Sequence, residues 1–433
     1  MPRISGNATT GGDRGPDATP AARPRQGVCQ HPDEHARYDR DHQPDGADRG
    51  LGDRPSDGAL KPSAIAVTWL ADVPLADPLL AVALAVTAVG ALSRARPRYR
   101  RHRAGLRLAS FLLALLAFAA YANAYFSYLP HVGDIAGPRP WPTAPAVRAL
   151  AEPVATRHPR GVVTSVDAPG PVSGVHGQQA LVYLPPQYFS EPTRRFPVLY
   201  LLHGSPGVPL DWFRGADAAD AGYRAAVAGH PVLLVVPRLS RSWLDDTECV
   251  DTPHYRAESY LVQDVMRLVD RRLRTQPTNR SRGLVGNSAG GFCALDIALR
   301  HPSLFGSAAA MSPLIEPTYS YGSLKQLFGD PSNLTDVLQQ HSPAWLLRHE
   351  PAARRVRLRI DVGRSDRLVR RQDQAFARLA AALNVTSTTY VERPGGHTFK
   401  VWRPSLRDIV GWFAVGAAGQ AVSTGQHPGA RPT

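Results

Sequence analysis

The stretch GLVGNSAGGFCALDIALRHP, residues 283–302, decides the fold. An apolar run, Gly283-Leu284-Val285, ends at Gly286-Asn287-Ser288-Ala289-Gly290 and passes directly into a helical pattern. A strand that turns so abruptly into a helix leaves no room for Cβ atoms beside the turning residue. Glycine at 286 and 290 is then a steric requirement, and Ser288 is left at the apex of a nucleophile elbow. That apex is also a helix N-terminus, where aligned peptide dipoles favour negative charge developing nearby. The competing reading is a tight βα turn with a capping serine, so the partners of Ser288 have to separate the two.

Outward from the elbow, short β-rich runs alternate with helical stretches. The strand signals are LVYLP (181–185), FPVLYLLHG (196–204), PVLLVVP (231–237), VRLRIDVG (356–363) and TTYVE (388–392). Helical patterns fill 257–275, 289–301, 370–383 and 404–415. Such alternation over residues 161–416 predicts an α/β fold built on a mostly parallel central sheet.

A serine nucleophile needs a base, and the base needs an orienting acid; in this architecture they follow the serine in the order acid, then histidine. His397, in RPGGHTFKVW, follows the TTYVE strand across Gly395-Gly396 and precedes the terminal helix, so its ring can reach back over the elbow. For the acid, Asp366 lies on the turn beyond the VRLRIDVG strand and is favoured. Asp361 lies inside that strand, and Glu392 is a more distant alternative. The turn after LLHG aims a backbone N–H, assigned to Ser205, at the oxyanion, with the N–H of Ala289 as second donor. His203 is read as support for that turn. The segment 313–345 is expected to form a lid or pocket wall.

Upstream, Leu108–Leu129 contains 22 residues without a charge and gathers Tyr and Phe at its far end. At 1.5 Å per residue it reaches about 33 Å, enough for the hydrocarbon core of a bilayer, with the aromatics at one interface. A first apolar stretch, about 76–92, makes it a predicted transmembrane helical hairpin over 64–129. Between them, 93–107 holds Arg94, Arg96, Arg98, Arg100, Arg101, Arg103 and Arg107. Read alone this is a nucleic-acid patch; flanked by apolar spans it is a short cytoplasmic loop, by the positive-inside rule. Everything after Leu129 is then expected outside the cytoplasm, at the cell membrane. Residues 1–62, rich in Gly, Pro, Asp and Arg, read either as a disordered tail or as sequence upstream of the true start, for instance Val67. Residues 130–160 read as a Pro-rich linker and 417–433 as a loose tail.

The chain has 433 residues and a formal charge of +14, which at first suggests a nucleic-acid binder. Outside the Arg-rich loop the surplus is spread out, with no basic stripe interleaved with aromatics, so no nucleic-acid partner is expected. The three cysteines, Cys29, Cys249 and Cys293, form no CxxC or Cys/His spacing, so no metal and no organic cofactor is implied. Whether Cys249 and Cys293 pair stays open, as does the oligomeric state.

The combination LLHG, GNSAGGFCAL, HPSLF, DVGRSD and PGGHTFKVW resembles the esterase D-like "putative esterase" branch of the α/β-hydrolases, which also contains bacterial mycolyltransferases. The resemblance covers about 178–415 and implies catalytic Ser288, Asp366 and His397 with Ser205 and Ala289 as oxyanion donors. Many members have a bulkier residue where Ala289 follows the serine, which limits transfer of substrate class, and the membrane hairpin lies outside the match. The expectation is a membrane-anchored serine esterase acting on a small-molecule ester or an acyl lipid. The alternatives are an acyltransferase moving acyl groups to envelope sugars or lipids, and a non-catalytic binding module on the same fold.

Overall fold

Eight strands form one sheet: β1 (Val162–Asp167), β2 (Gln179–Leu184), β3 (Val198–Leu202), β4 (Leu233–Pro237), β5 (Arg282–Asn287), β6 (Ser307–Met311), β7 (Arg357–Gly363) and β8 (Thr388–Arg393). Their spatial order is β1-β2-β4-β3-β5-β6-β7-β8. The first two strands run antiparallel to their neighbours and the other six are mutually parallel. This is an α/β-hydrolase-like sheet. The computed structural model describes residues 73–94, 103–136, 158–320, 322–385 and 387–422. The expected N-terminal tail, the middle of the Arg-rich loop, most of the Pro-rich linker and the last eleven residues lie outside the described residues.

The central strands are apolar throughout because both of their faces are covered. In β3, Val198, Tyr200 and Leu202 join one core, packed under the Ala289–Arg300 helix and the Arg370–Ala382 helix. Leu199 and Leu201 join the other, packed under the Ala218–Val227 helix and the long Phe399–Val422 helix. Two strands carry little sequence signal. In β1, VVTSVD alternates buried and half-buried positions, as an antiparallel strand near an edge does. In β6, SAAAM is small-residue rich because Ala308 and Ala310 share a core cluster with Ala294 and Ala298 of the helix beside them. Tertiary packing overrides the low strand propensity of alanine there. The last helix is longer than the expected 404–415, since it takes Pro404 into its interior and runs on to Val422.

Upstream, the Pro78–Arg94 and Arg103–Phe126 helices lie side by side, and the Ser110 hydroxyl donates to the Ala88 carbonyl at 2.8 Å. Among the described residues one helix, Ala104–Phe126, is long and apolar enough to cross a membrane. Pro78–Arg94, at 17 residues, is shorter than that, so two full spans are not established.

Cys249 and Cys293 are bonded, with Cα atoms 5.4 Å apart across a sequence separation of 44. The bond ties the 245–251 loop to the helix that begins behind Ser288. Sequence spacing gave no sign of it, because the two residues meet only through the packing of that loop on the helix. Closing a loop of this length restricts the unfolded chain by about 4 kcal/mol in the chain-entropy account. Reduction, or Cys293→Ala, is expected to lower the free energy of unfolding by that order, measured by chemical denaturation of the full chain with and without reductant.

Candidate active site

Ser288 sits between the end of β5 and the first helical residue, Ala289, with φ +53° and ψ −124°. That region is costly for a residue with a side chain, and here neighbouring structure holds it in place. The Ser288 N–H donates to the Met311 carbonyl at 2.9 Å, and its own carbonyl accepts from Gly291 and Phe292. A Cβ on Gly286 would collide with the Gly290 carbonyl, and one on Gly290 with the Leu202 carbonyl. The two glycines thus let the elbow close against β3.

The structure brings three of the candidate residues into one relay. His397 Nε2 lies 2.9 Å from Ser288 Oγ, and His397 Nδ1 lies 2.8 Å from Asp366 Oδ2. With Nδ1–H donating to the carboxylate, Nε2 is left as the acceptor facing the serine hydroxyl. Asp366 is buried, which opposes its charge. Hydrogen bonding and attraction from His397, with help from the Ser312 hydroxyl and the Val369 N–H, outweigh burial and hold its carboxyl below the usual range. The imidazole is braced from the side by Trp402, edge-on at 5.0 Å between ring centres, and the Trp402 indole donates to Ser312 Oγ at 3.2 Å.

The other acids have different partners. Asp361 is fully buried and bonded to Arg359 at 2.7 Å and to Arg393 at 3.1 Å, and Arg393 also holds Asp408. Glu392 receives Arg370, Gln374 and Tyr390. Neither faces His397. Both have cationic partners that account for their positions.

Ser205 follows β3 in the loop that runs beside the elbow, and it lines one small cavity together with Gly204 and Ala289. The Ala289 N–H belongs to the first helical turn, where no intrahelical acceptor exists. His203 is buried beneath the loop. Its Nδ1 faces the Gly204 carbonyl at 3.0 Å, and its Nε2 accepts the Leu239 N–H at 3.3 Å. Burial lowers its pKa, so the ring stays neutral and supports the turn.

A cavity of about 590 Å³ opens over Ser288 and His397. Its walls come from the 204–208 loop, Trp243, Phe399 and Trp402, and from Phe126 and Tyr128 at the end of the apolar helix. Among the described residues, none of 313–345 lines it. That segment instead binds the 246–248 loop, through Thr318 Oγ1 to Glu248 at 3.0 Å and Ser320 N–H to Asp246 at 3.4 Å. Burial pushes the carboxyls of Glu248 and Asp246 up, most strongly at Glu248. Phe126, Tyr128 and Trp243 carried no pocket signal in the sequence, because the wall is assembled from segments far apart in the chain. The aromatics at 126 and 128 read there only as an interfacial belt. Among the described residues no cluster of His, Cys, Asp and Glu could hold a metal ion.

Fold and relay together define a serine hydrolase of the α/β-hydrolase class. More particularly, the chain belongs to the "Putative esterase" family, whose model matches residues 177–413. An uncharacterised protein of Corynebacterium glutamicum is 28% identical over 341 residues, covering 73% of this chain and 77% of that one. S-formylglutathione hydrolase of Bos taurus is 26% identical over 204 residues, 43% of this chain and 68% of the relative. Among solved structures, a ferulic acid esterase superposes with a TM-score of 0.52 at 20% identity, covering 59% of this chain and 98% of its own. A fluorophosphonate-binding serine hydrolase of Staphylococcus aureus does so at 0.50, with 20% identity and the same coverage of 59% and 98%. These two likenesses describe the fold.

Beside the relay, Asp373 is fully buried, and neither carboxyl oxygen has a hydrogen-bond partner among the described residues. Burial, reinforced by the nearby charge of Asp366, pushes its pKa up to about 9. In the unfolded chain an aspartate titrates near ~3.9. Between those values the folded protein holds a proton that the unfolded chain releases, so stability falls as pH rises from about 4 to about 9. Asp373→Asn carries no proton to lose. It is expected to raise the thermal midpoint near pH ~8 and to leave it close to wild type near pH ~4, read by thermal unfolding at the two pH values.

Proposed function

We propose that this chain is a membrane-anchored serine carboxylesterase whose catalytic body lies outside the cytoplasm. The observation that carries the reading is the continuous relay from Ser288 through His397 to Asp366, with contacts of 2.9 and 2.8 Å. In the first half-reaction Ser288 Oγ attacks the ester carbonyl carbon while His397 Nε2 takes the hydroxyl proton. The carbonyl oxygen, now an oxyanion, receives the N–H groups of Ser205 and Ala289. Collapse of the tetrahedral intermediate breaks the bond to the alcohol oxygen, which leaves with the proton from His397. Water then gives a proton to His397 and attacks the acyl-serine; the carboxylic acid departs and Ser288 recovers its proton. Asp366 keeps the imidazole in the right tautomer and favours its charged form throughout.

The family and the S-formylglutathione hydrolase relative support acyl transfer to water as the chemistry. Anchoring is supported by a helix among the described residues that is long and apolar enough to span, and the Arg-rich segment at its N-terminal end supports the orientation. The Cys249–Cys293 bond fits an oxidising compartment.

The test is hydrolysis of p-nitrophenyl esters by the full chain in detergent. Ser288→Ala is expected to abolish turnover, and Asp366→Asn to lower kcat by roughly four orders of magnitude, since the wrong histidine tautomer then faces the serine. A folded wild-type chain that hydrolyses no ester would sink the reading.

A further inference from the structure

One wall of the pocket over Ser288 is supplied from outside the hydrolase body. Phe126 and Tyr128, where the apolar Arg103–Phe126 helix ends, line the same cavity as Val208, Trp243, Phe399 and Ser288. The segment is fixed there in several ways. Asn123 closes a turn by donating its side-chain amide to the Leu129 carbonyl and accepting the Leu129 N–H, both at 2.8 Å. Ser127, at φ +52°, lies inside that turn, and Arg403 donates to its carbonyl at 3.2 Å. The Tyr128 hydroxyl donates to Asp211 Oδ1 at 2.6 Å. The other oxygen of the same carboxylate accepts the Val208 N–H at 2.8 Å, in the loop that carries Ser205. The Tyr128 ring meets Phe399 edge-on at 5.4 Å.

Behind Phe126 much of the helix that does not pack on Pro78–Arg94 is uncovered. Phe111, Leu115, Phe118 and Tyr121 each expose half or more of their surface. An apolar face of that length belongs in hydrocarbon. Phe126 is exposed on the helix and also lines the pocket, so it joins the apolar helix surface to the cavity over the reacting serine. The pocket offers little to a charged substrate. Among the described lining residues the one carboxylate, Asp211, is already engaged by Tyr128 and Val208.

We propose that this cavity houses the hydrocarbon acyl chain of a lipid ester that reaches Ser288 from the membrane along Phe126 and Tyr128, and that this juxtamembrane segment sets the acyl-length preference. The inference rests on the serine-esterase reading above. The acyl side is assigned because the alcohol leaves in the first half-reaction, whereas the acyl group stays bonded to Ser288 until water attacks. The group that stays is the one that needs an apolar berth.

The probes are p-nitrophenyl acetate, octanoate and palmitate, hydrolysed by the full chain in nanodiscs. Tyr128→Ala removes part of the wall, and Phe126→Trp fills the cavity while keeping an aromatic in place. Each is expected to lower the palmitate-to-acetate ratio of kcat/KM by about tenfold, the scale on which apolar pockets discriminate chain length. A ratio unchanged in both variants, with hydrolysis still lost in Ser288→Ala, overturns this proposal and leaves the esterase reading standing. Binding is read separately in the Ser288→Ala chain, from the fluorescence of cis-parinaric acid displaced by palmitate. Weaker palmitate binding in the added presence of Phe126→Trp upholds the pocket assignment even for a chain that hydrolyses nothing. Binding indifferent to Phe126→Trp overturns it.

Discussion

The architecture of the site turns on a close approach of backbones. The helix that starts at Ala289 presses its first turn against the ends of β3 and β5, and Gly286 and Gly290 are the points of contact. Everything reactive is placed relative to that approach. It lifts Ser288 above the sheet in a conformation that few residues adopt. It sets the Ala289 N–H next to the 204–208 loop, and it fixes the distance across which His397 must reach from beyond β8. The helix in turn sets the small side chains of β6, since strand and helix share one layer of alanines.

Two aspartates five residues apart show how position within the sheet divides labour. Asp361, inside β7, is enclosed by Arg359 and Arg393, and removing one partner of such a buried set would leave a charge unpaired. Asp366, one turn beyond the strand, faces the imidazole. Around them the aromatic chain His397, Trp402, Phe399 and Tyr128 connects the relay to the segment that leaves the apolar helix. The 204–208 loop joins the same segment through Asp211.

Much of this was legible in the sequence because it is local or ordered along the chain. The elbow is written in five consecutive residues. The order serine, acid, histidine pointed to His397 and favoured Asp366 over Asp361 and Glu392, and the apolar runs of β3, β4 and β5 announced a mostly parallel sheet. What could not be read depends on contacts between distant segments. β1 and β6 lack the apolar runs of a central strand, because one alternates and the other yields its bulk to a helix. The segment 313–345 has the aromatics of a pocket wall, but its Thr318 and Ser320 bind the 246–248 loop instead. The actual wall includes Phe126 and Tyr128, separated from Ser288 by more than a third of the chain. Nothing in their spacing could say that they return to it.

The Cys249–Cys293 bond has a consequence for where the protein matures. It joins the loop that follows Trp243 to the helix that begins at the nucleophile, and it persists only where thiols are not kept reduced. A copy held in a reducing compartment has the same relay residues but a looser loop over them and a less stable body. Full stability therefore depends on surroundings in which the bond can form, so redox chemistry completes what translation leaves unfinished.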